Sequence, residues 1–293
     1  MASFYISAFA DETSEVLSHQ IEALKRNGLR YIEPRNISGS LVSKTDEELE
    51  EIAKALREAG ISISSLGSPI GKFDIDGDFE EHLKVFRRAI AACKILGTKN
   101  MRMFSFFVPQ DRLEECREEV MRRMSILLEE AEKEGITLCH ENESKIYGQN
   151  PKEVRDLLTT LPSLRGIFDA ANYVMNDQDP IEGIEATLPS VEYLHVKDAS
   201  YEVKAMTPAG LGDGQYKEVL RRVDEACDRT MFLTLEPHLH TFQAFKNIDA
   251  HDSLKTVMTF ENADVAFDTA TSYLKKMLTE LGFKEDENGL WKK

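Results

Sequence analysis

The sequence predicts a single-domain α/β protein folded as a (β/α)8 TIM barrel. Eight short β-rich runs alternate with amphipathic helical segments along its 293 residues. Several helical segments begin at acidic or hydroxyl residues and end at a glycine a few residues before the next strand, which is the capping pattern of repeated βα units. Eight such units favour a closed barrel over an open sheet. No G-x-G-x-x-G motif follows the first strand to indicate a dinucleotide-binding fold.

The predicted strands are short runs rich in apolar and β-branched residues. Helical segments between them include "DETSEVLSHQIEALKRNG" and "DFEEHLKVFRRAIAACKILG", and "PHLHTFQAFKNIDAHDS" predicts a long loop before the last helix. We expect the barrel to occupy residues 1–282 and a peripheral tail to occupy residues 283–293. The eight predicted strands are residues 4–9, 31–34, 61–66, 100–104, 137–141, 166–169, 193–197 and 232–236.

The composition excludes several classes of protein. The chain has 36 basic and 52 acidic side chains, a net charge of −16, and no basic stripe, so binding to nucleic acid is not expected. No stretch is apolar enough to span a membrane, and the start lacks the basic region of a secretory signal. The cysteines are scattered and predict reduced thiols in a cytoplasmic protein: Cys93, Cys116, Cys139 and Cys227.

Four late strands end in residues that can bind a metal ion. These are Glu141 in "TLCHENE", Asp169 in "GIFDAAN", His195 in "YLHVKD" and Glu236 in "FLTLEPH". Taken singly, an acidic residue after a strand is more often a helix N-cap or a solvated loop residue, and a lone strand histidine is more often a core residue. Four successive strands that all end this way predict a metal site at the carboxyl end of the barrel. Its oxygen-rich ligands favour Mn²⁺, with Mg²⁺, Co²⁺ and Zn²⁺ as alternatives.

These motifs also resemble a known family. "HENE", "FDAAN", "HVKDA", "GLGDG" and "LEPH", in this order, are similar to the xylose isomerase-like TIM barrels, as are "YIEPR", "SPIGK" and "MRMFSFF". The last three are characteristic of bacterial proteins of the sugar phosphate isomerase/epimerase type. The family includes sugar isomerases, ketose 3-epimerases, inosose dehydratases and, more remotely, endonuclease IV.

The resemblance implies that Glu141, Asp169, His195 and Glu236 bind a metal ion and that the two glutamates are the catalytic acid/base pair. It also suggests a dimer or tetramer. The sequence departs from the epimerases at two places. Asn172 stands where they usually have a histidine, and where they have an arginine shortly after the strand-seven histidine the nearby cation here is Lys197 or Lys204.

Further polar residues near the strand ends are expected to contact substrate. Glu33 and Arg35 share one face of the second strand, where an internal salt bridge is an equal alternative. Asp198 is expected only to cap the next segment, and "GLGDG" predicts a shaped turn instead of a phosphate loop. The predicted substrate-binding residues are Glu33, Arg35, Ser68, Lys72, Arg102, Glu143, Asn172, Lys197 and His238.

A divalent ion in such a site predicts an isomerase or epimerase acting on a sugar or sugar derivative. The reaction would remove a proton next to a carbonyl and pass through a metal-stabilised enediolate. The same first step serves a lyase or dehydratase acting on a keto-polyol or 3-keto-glycoside, which is the first alternative. A non-catalytic polyol-binding barrel is the second. An apurinic endonuclease would need more histidine ligands and a basic face.

Overall fold

The structure is a computed structural model that describes residues 1–240 and 255–293. It has the predicted barrel architecture, with parallel strands surrounded by helices. In chain order the strands are β1 Ser3–Ala8, β2 Tyr31–Ile32, β3 Ser62–Ile63, β4 Asn100–Met103, β5 Thr137–Glu141, β6 Arg165–Asp169, β7 Val191–Val196, β8 Asp198–Ser200, β9 Ala205–Thr207, β10 Thr230–Leu235, β11 Lys284–Glu285 and β12 Leu290–Lys292.

Helices follow the barrel strands, as a βα repeat requires. Their ends confirm the capping signals in the sequence. Thr45 forms a capping box with Glu48, Asp78 caps the third helix, and Gly97 ends that helix with φ of 77°. The helices of the described residues are α1 Leu17–Arg26, α2 Asp46–Glu58, α3 Phe79–Leu96, α4 Leu113–Lys133, α5 Pro151–Thr160, α6 Ala170–Met175, α7 Pro180–Thr187, α8 Tyr216–Ala226 and α9 Ala263–Glu280.

The barrel consists of β1 to β7 and β10. Parallel ladders join β4, β5, β6, β7, β10 and β1 in that order, and β2 pairs with β3. The remaining two seams are closed by few backbone hydrogen bonds. Glu33 N donates to Ala8 O at 3.0 Å in one seam, and in the other Leu66 N donates to Asn100 O at 2.9 Å and Arg102 N to Leu66 O at 3.0 Å. The first four strands therefore pair through fewer bonds than the later ones.

Strand alternation divides the residues between two environments. In β1, Phe4 and Ile6 are buried in the hydrophobic core between the sheet and the helices. Ser7 faces the barrel interior, where its Oγ lies 2.7 Å from Ser64 Oγ. Register then aligns the carboxyl ends of the late strands, with Asp169 opposite His195 and His195 opposite Thr234. Polar side chains at these ends thus share one layer of the barrel.

A C-terminal hairpin extends the barrel sheet. Residues 283–293 carry the β11–β12 hairpin, and β12 pairs with the start of β1 in antiparallel orientation, with Trp291 buried. The division into a barrel of residues 1–282 and a peripheral tail of residues 283–293 stays a prediction. Most of the predicted long loop, residues 237–253, lies outside the described residues.

None of the described helices combines the length and apolar character that crossing a membrane requires. All four cysteines are described and unbridged, as predicted.

Candidate active site

The structure brings the four predicted ligands together. Glu141, Asp169, His195 and Glu236 come from the ends of β5, β6, β7 and β10, and all are buried. Each offers a donor atom, and these atoms all lie within 4.8 Å of one another. Three carboxylates and one imidazole at this spacing could hold a divalent ion.

His195 has its two ring nitrogens in different surroundings. Nδ1 lies 3.0 Å from Glu141 Oε1 and 3.4 Å from Glu236 Oε2, and it makes no hydrogen bond to the described residues. Nε2 lies 3.3 Å from Glu33 Oε2 and can donate to it. With its proton on Nε2, the imidazole would present the Nδ1 lone pair to the cluster, which is the arrangement of a histidine ligand oriented by a carboxylate.

Asp169 has two roles, because its two oxygens are used differently. Oδ1 accepts from Asn172 N at 2.9 Å and caps α6, whereas Oδ2 has no hydrogen bond within the described part of the chain. Asn142 fixes the Asp169 backbone by donating to its carbonyl and accepting from its amide, both at 2.9 Å. The N-cap and ligand interpretations of this aspartate are therefore compatible.

The two glutamates are arranged alike. Glu141 accepts from Arg102 at 3.2 Å through Oε2 and turns Oε1 toward His195. Glu236 accepts from Arg35 at 2.6 Å through Oε1 and turns Oε2 toward His195. One oxygen of each carboxylate is thus held by an arginine, and the other faces the centre of the cluster.

Phe9 packs against both arginines. Its ring centroid lies 4.4 Å from the Arg35 guanidinium carbon and 4.9 Å from that of Arg102. The ring also meets His195 edge-on at 5.1 Å. Asp11 completes the arrangement by accepting two 3.0 Å hydrogen bonds from Arg35. Cation–π contacts and a bidentate ion pair therefore fix the residues that hold the glutamates.

The charge of this network suits a divalent cation. Among the described residues, three buried cations and six buried carboxylates are joined by ion pairs, so the formal balance is 3 − 6 = −3 when every carboxylate is ionised and the histidines are neutral, as a metal-bound His195 would be. A bound ion of charge +2 would offset most of this excess. The cations are Arg35, Arg102 and Lys197, and the carboxylates are Asp11, Glu12, Glu33, Glu141, Asp169 and Glu236.

Burial and neighbouring charges set the protonation of the cluster. Burial opposes ionisation of Glu141, but His195 and Arg102 outweigh it and lower its pKa to about 2. Burial also acts on Glu236, whose pKa Lys197 and His195 nevertheless lower. Burial raises the pKa of Asp169 to about 7, although Lys197 favours its charged form. Both glutamates are therefore ionised at neutral pH, as metal ligands and general bases must be.

Several predicted substrate residues instead support the protein's own charged groups. Glu33 accepts from Tyr193 Oη at 2.8 Å as well as contacting His195, so its contacts are internal. Ser68 Oγ donates to Arg102 O at 2.5 Å. Asn172 Nδ2 donates to Asn142 O at 2.8 Å and lies 3.4 Å from Glu141 Oε1. Substrate contacts for these residues stay predictions.

Lys72, Glu143 and His238 lie around the cluster. Lys72 Nζ donates to Glu143 Oε2 at 3.0 Å, and these two side chains are 16% and 18% exposed. His238 has φ of 48°, and its backbone amide donates to Glu12 Oε2 at 2.8 Å. Its ring Nε2 lies 3.6 Å from Glu236 Oε1. These positions are compatible with the predicted contacts to substrate.

The "GLGDG" segment is a shaped turn built on Asp198. Its buried carboxylate accepts from the amides of Gly210, Gly212 and Gly214 at 2.8–3.1 Å, and from Ala199 N. A Cβ on Gly212 would lie 2.4 Å from Asp198 Oδ1. The expectation that Asp198 only caps the next segment was therefore too narrow, because its carboxylate organises a loop twelve or more residues away.

Sequence reasoning missed four residues of the site. Asp11 and Glu12 lie three and four residues after the end of β1, so the strand-end rule used for the late strands would find them if it were extended by a few residues. Phe9 and Tyr216 carry no such signal. Tyr216 Oη accepts from Lys197 N at 2.9 Å and can donate to Lys197 O at 2.7 Å, which fixes the end of β7.

Comparisons with known proteins agree with this fold. The sequence profile of the family described as xylose isomerase-like TIM barrel matches residues 21–260. Among solved structures, the probable 3-DHS dehydratase AsbF from Bacillus anthracis superposes with a TM-score of 0.71 at 15% identity, covering 92% of this chain and 98% of that one. No curated protein sequence matches this chain significantly.

Two other solved structures are similar over their whole length. D-Psicose 3-epimerase from Clostridium cellulolyticum H10, determined with D-tagatose, has a TM-score of 0.69 at 12% identity, covering 93% of this chain and 99% of its own. A xylose isomerase-like TIM barrel protein from Mycobacterium smegmatis, in complex with magnesium, has a TM-score of 0.66 at 16% identity, covering 94% and 97%. At these identities the likeness shows the shared fold.

Proposed function

Because the chain belongs to the xylose isomerase-like TIM barrel family, we propose that it is a divalent-metal-dependent isomerase or epimerase of a sugar or sugar derivative. The observation that carries the proposal is the arrangement of Glu141 and Glu236. Each has one oxygen held by an arginine and the other within 3.4 Å of His195 Nδ1, inside a cluster that could bind a cation.

Glu141, Asp169, His195 and Glu236 would hold the ion, and Mn²⁺ is the first choice because the donor set is rich in oxygen. When bound, the ion would act as a Lewis acid on two neighbouring substrate oxygens and stabilise the negative charge that develops there. Glu33 keeps the His195 ring in place through Nε2. Burial of all four side chains limits the access of water to the reacting carbon.

The two glutamates supply the proton transfers. One accepts the proton from the carbon next to the carbonyl, and the other returns a proton. Return on the opposite face of the same carbon gives an epimer, and return to the neighbouring carbon interconverts an aldose and a ketose. Arg35 and Arg102 hold the far oxygens of these carboxylates, so the near oxygens keep their orientation during both transfers.

Dehydration or lyase chemistry on a keto-polyol or 3-keto-glycoside is the second candidate. Lys197 favours it, because its buried ammonium lies 3.4 Å from Glu236 Oε2 and can donate a proton to a leaving hydroxyl or aglycone oxygen. Asn172 also stands where the epimerases that the sequence resembles have a histidine.

We also propose a cytoplasmic location and a homo-oligomeric state.

The test is a substrate panel in D₂O. Ketoses, inososes and 3-keto-glycosides are incubated with the protein and Mn²⁺, and with the Glu236→Gln variant as control. We expect deuterium uptake with unchanged composition, lost in the variant. Loss of water or aglycone would instead establish the lyase. Binding without exchange of any compound would contradict both enzymes and favour a polyol-binding barrel.

A further inference from the structure

We propose that Lys197 competes with the divalent cation for the same two carboxylate oxygens and thereby sets the affinity of the site for the ion. The inference rests on the proposed function, since it takes the four-residue cluster to be a cation site. It concerns the regulation of that site by a residue that is not one of the four.

One of the two carboxylate oxygens of Asp169 makes no hydrogen bond to the described residues and is available to a cation. Oδ1 accepts the 2.9 Å hydrogen bond from Asn172 N that caps α6. Oδ2 is the remaining oxygen, and Lys197 Nζ lies 3.2 Å from it. Oδ2, which makes no hydrogen bond to the described residues, is therefore the Asp169 oxygen that a cation would use without crowding the helix cap, and it already faces the lysine.

The same restriction applies to Glu236. Its Oε1 accepts the 2.6 Å hydrogen bond from Arg35. Its Oε2 is the oxygen that faces His195 Nδ1 at 3.4 Å, and Lys197 Nζ donates to it at 3.4 Å. Two of the four donor groups thus share their available oxygen with one ammonium group.

The backbone at Lys197 is fixed, so the competition is confined to its side chain. Tyr216 Oη bonds both the amide and the carbonyl of Lys197. The next residue, Asp198, is held by the amides of the glycine turn. The side chain is 4% exposed, and its ammonium is stabilised there by the carboxylates around it. Like charges at short range repel, so binding a divalent ion must displace this ammonium or weaken its ion pairs.

The experiment measures Mn²⁺ binding by isothermal titration calorimetry to metal-stripped wild type, Lys197→Met, Lys197→Arg and Lys204→Met. Lys204 is the matched control, because its Nζ donates to Val174 O and pairs with Asp177 away from the cluster. We expect Lys197→Met to bind Mn²⁺ at least about tenfold more tightly than wild type. Lys197→Arg and Lys204→Met should stay near the wild-type affinity.

Thermal unfolding gives a second readout. In EDTA, Lys197→Met should melt below wild type, because Asp169 and Glu236 lose an internal counter-ion, and the rise in Tm on adding Mn²⁺ should be larger than for wild type. If Lys197→Met does not fold in EDTA, Lys197→Gln undergoes the same titrations.

The outcomes separate the two proposals. If the uncharged Lys197 variants bind Mn²⁺ with affinity equal to or weaker than wild type, the proposed competition is wrong. Binding of Mn²⁺ by wild type would in that case still support the metal site. Failure of wild type to bind any divalent ion would overturn the proposed function itself.

Discussion

The two halves of the barrel contribute differently to the site. Strands β5, β6, β7 and β10 each end in a potential ligand whose donor atom faces the centre of the cluster. Strands β1, β2 and β4 end in or near groups that hold those ligands from behind, chiefly Phe9, Glu33, Arg35 and Arg102. We call these the ligand half and the supporting half.

Charged residues in one barrel layer therefore need not share a role. A ligand needs a free lone pair at the centre, whereas Arg35 and Arg102 need only reach the far oxygens of the ligands. Loss of a ligand should therefore abolish function. Loss of a supporting contact should weaken the site while leaving it assembled. The predictions below test this division.

The largest effect is expected in the ligand half, from Glu236→Gln. The amide removes one anionic ligand and one proton-transfer group, so Mn²⁺ binding should fall sharply and deuterium exchange should drop by about 10³-fold or more. Metal analysis and the exchange assay measure both. Glu192→Gln, at the opposite end of β7, is the control for removal of a carboxylate and should retain both properties.

A smaller effect is expected in the supporting half, from Glu33→Gln. The loss of the carboxylate that orients His195 should weaken Mn²⁺ binding about 10- to 100-fold with the fold retained. Calorimetric titration measures it. Tyr193→Phe removes the other partner of Glu33 and should cost less affinity. If Glu33→Gln abolished binding as completely as Glu236→Gln does, the division between the halves would be wrong.

Asp198 lies in the ligand half but has a structural role, so it sharpens the comparison. Asp198→Ala leaves the amides of Gly210, Gly212 and Gly214 without their acceptor and should lower the free energy of unfolding by about 1–3 kcal/mol. Urea unfolding measures this loss. The Mn²⁺ affinity should change less than in Glu33→Gln, and a larger change would assign the loop to the metal site.

The smallest effect concerns acid stability in the supporting half. His82 accepts from Gly71 N in the turn between Ser68 and Lys72, and burial and Arg123 lower its pKa to about 4. An unfolded histidine titrates near about 6.5. The unfolded state therefore binds more protons between these values, so stability is full above about pH 6.5 and falls toward pH 4.

The contribution of His82 can be isolated by substitution. His82→Gln keeps an acceptor that does not titrate, and should remove on the order of 1–2 kcal/mol of the difference in unfolding free energy between pH 7 and pH 5. Chemical unfolding at both pH values measures it. His140, whose pKa burial also lowers to about 4, titrates in both proteins and leaves the comparison unaffected. An unchanged pH dependence would contradict the assignment to His82.

The ligand half could be predicted from the sequence because each ligand obeys a local rule. A polar residue that ends an apolar strand lies at the carboxyl end of the barrel, and parallel register brings neighbouring ends together. The strand period also placed His140 on the opposite side from Glu141, and His140 is indeed buried with Nε2 2.9 Å from Ser105 Oγ.

The supporting half could not be predicted in the same way. Whether Arg35 binds substrate or Glu236 depends on a 2.6 Å contact between residues 201 positions apart. The cation–π contacts of Phe9 with two arginines and the four amide hydrogen bonds to Asp198 likewise depend on tertiary packing. Sequence patterns predicted the residue types at the strand ends but not which charged side chains pair with one another.

The most direct test of the account is anomalous diffraction from crystals of the wild-type protein grown with Mn²⁺. We expect one strong anomalous peak at the carboxyl end of the barrel, within about 2.5 Å of His195 Nδ1 and of an oxygen from Glu141, Asp169 and Glu236. No peak at these four residues under saturating Mn²⁺, or a peak only elsewhere, would contradict the assignment of a metal centre.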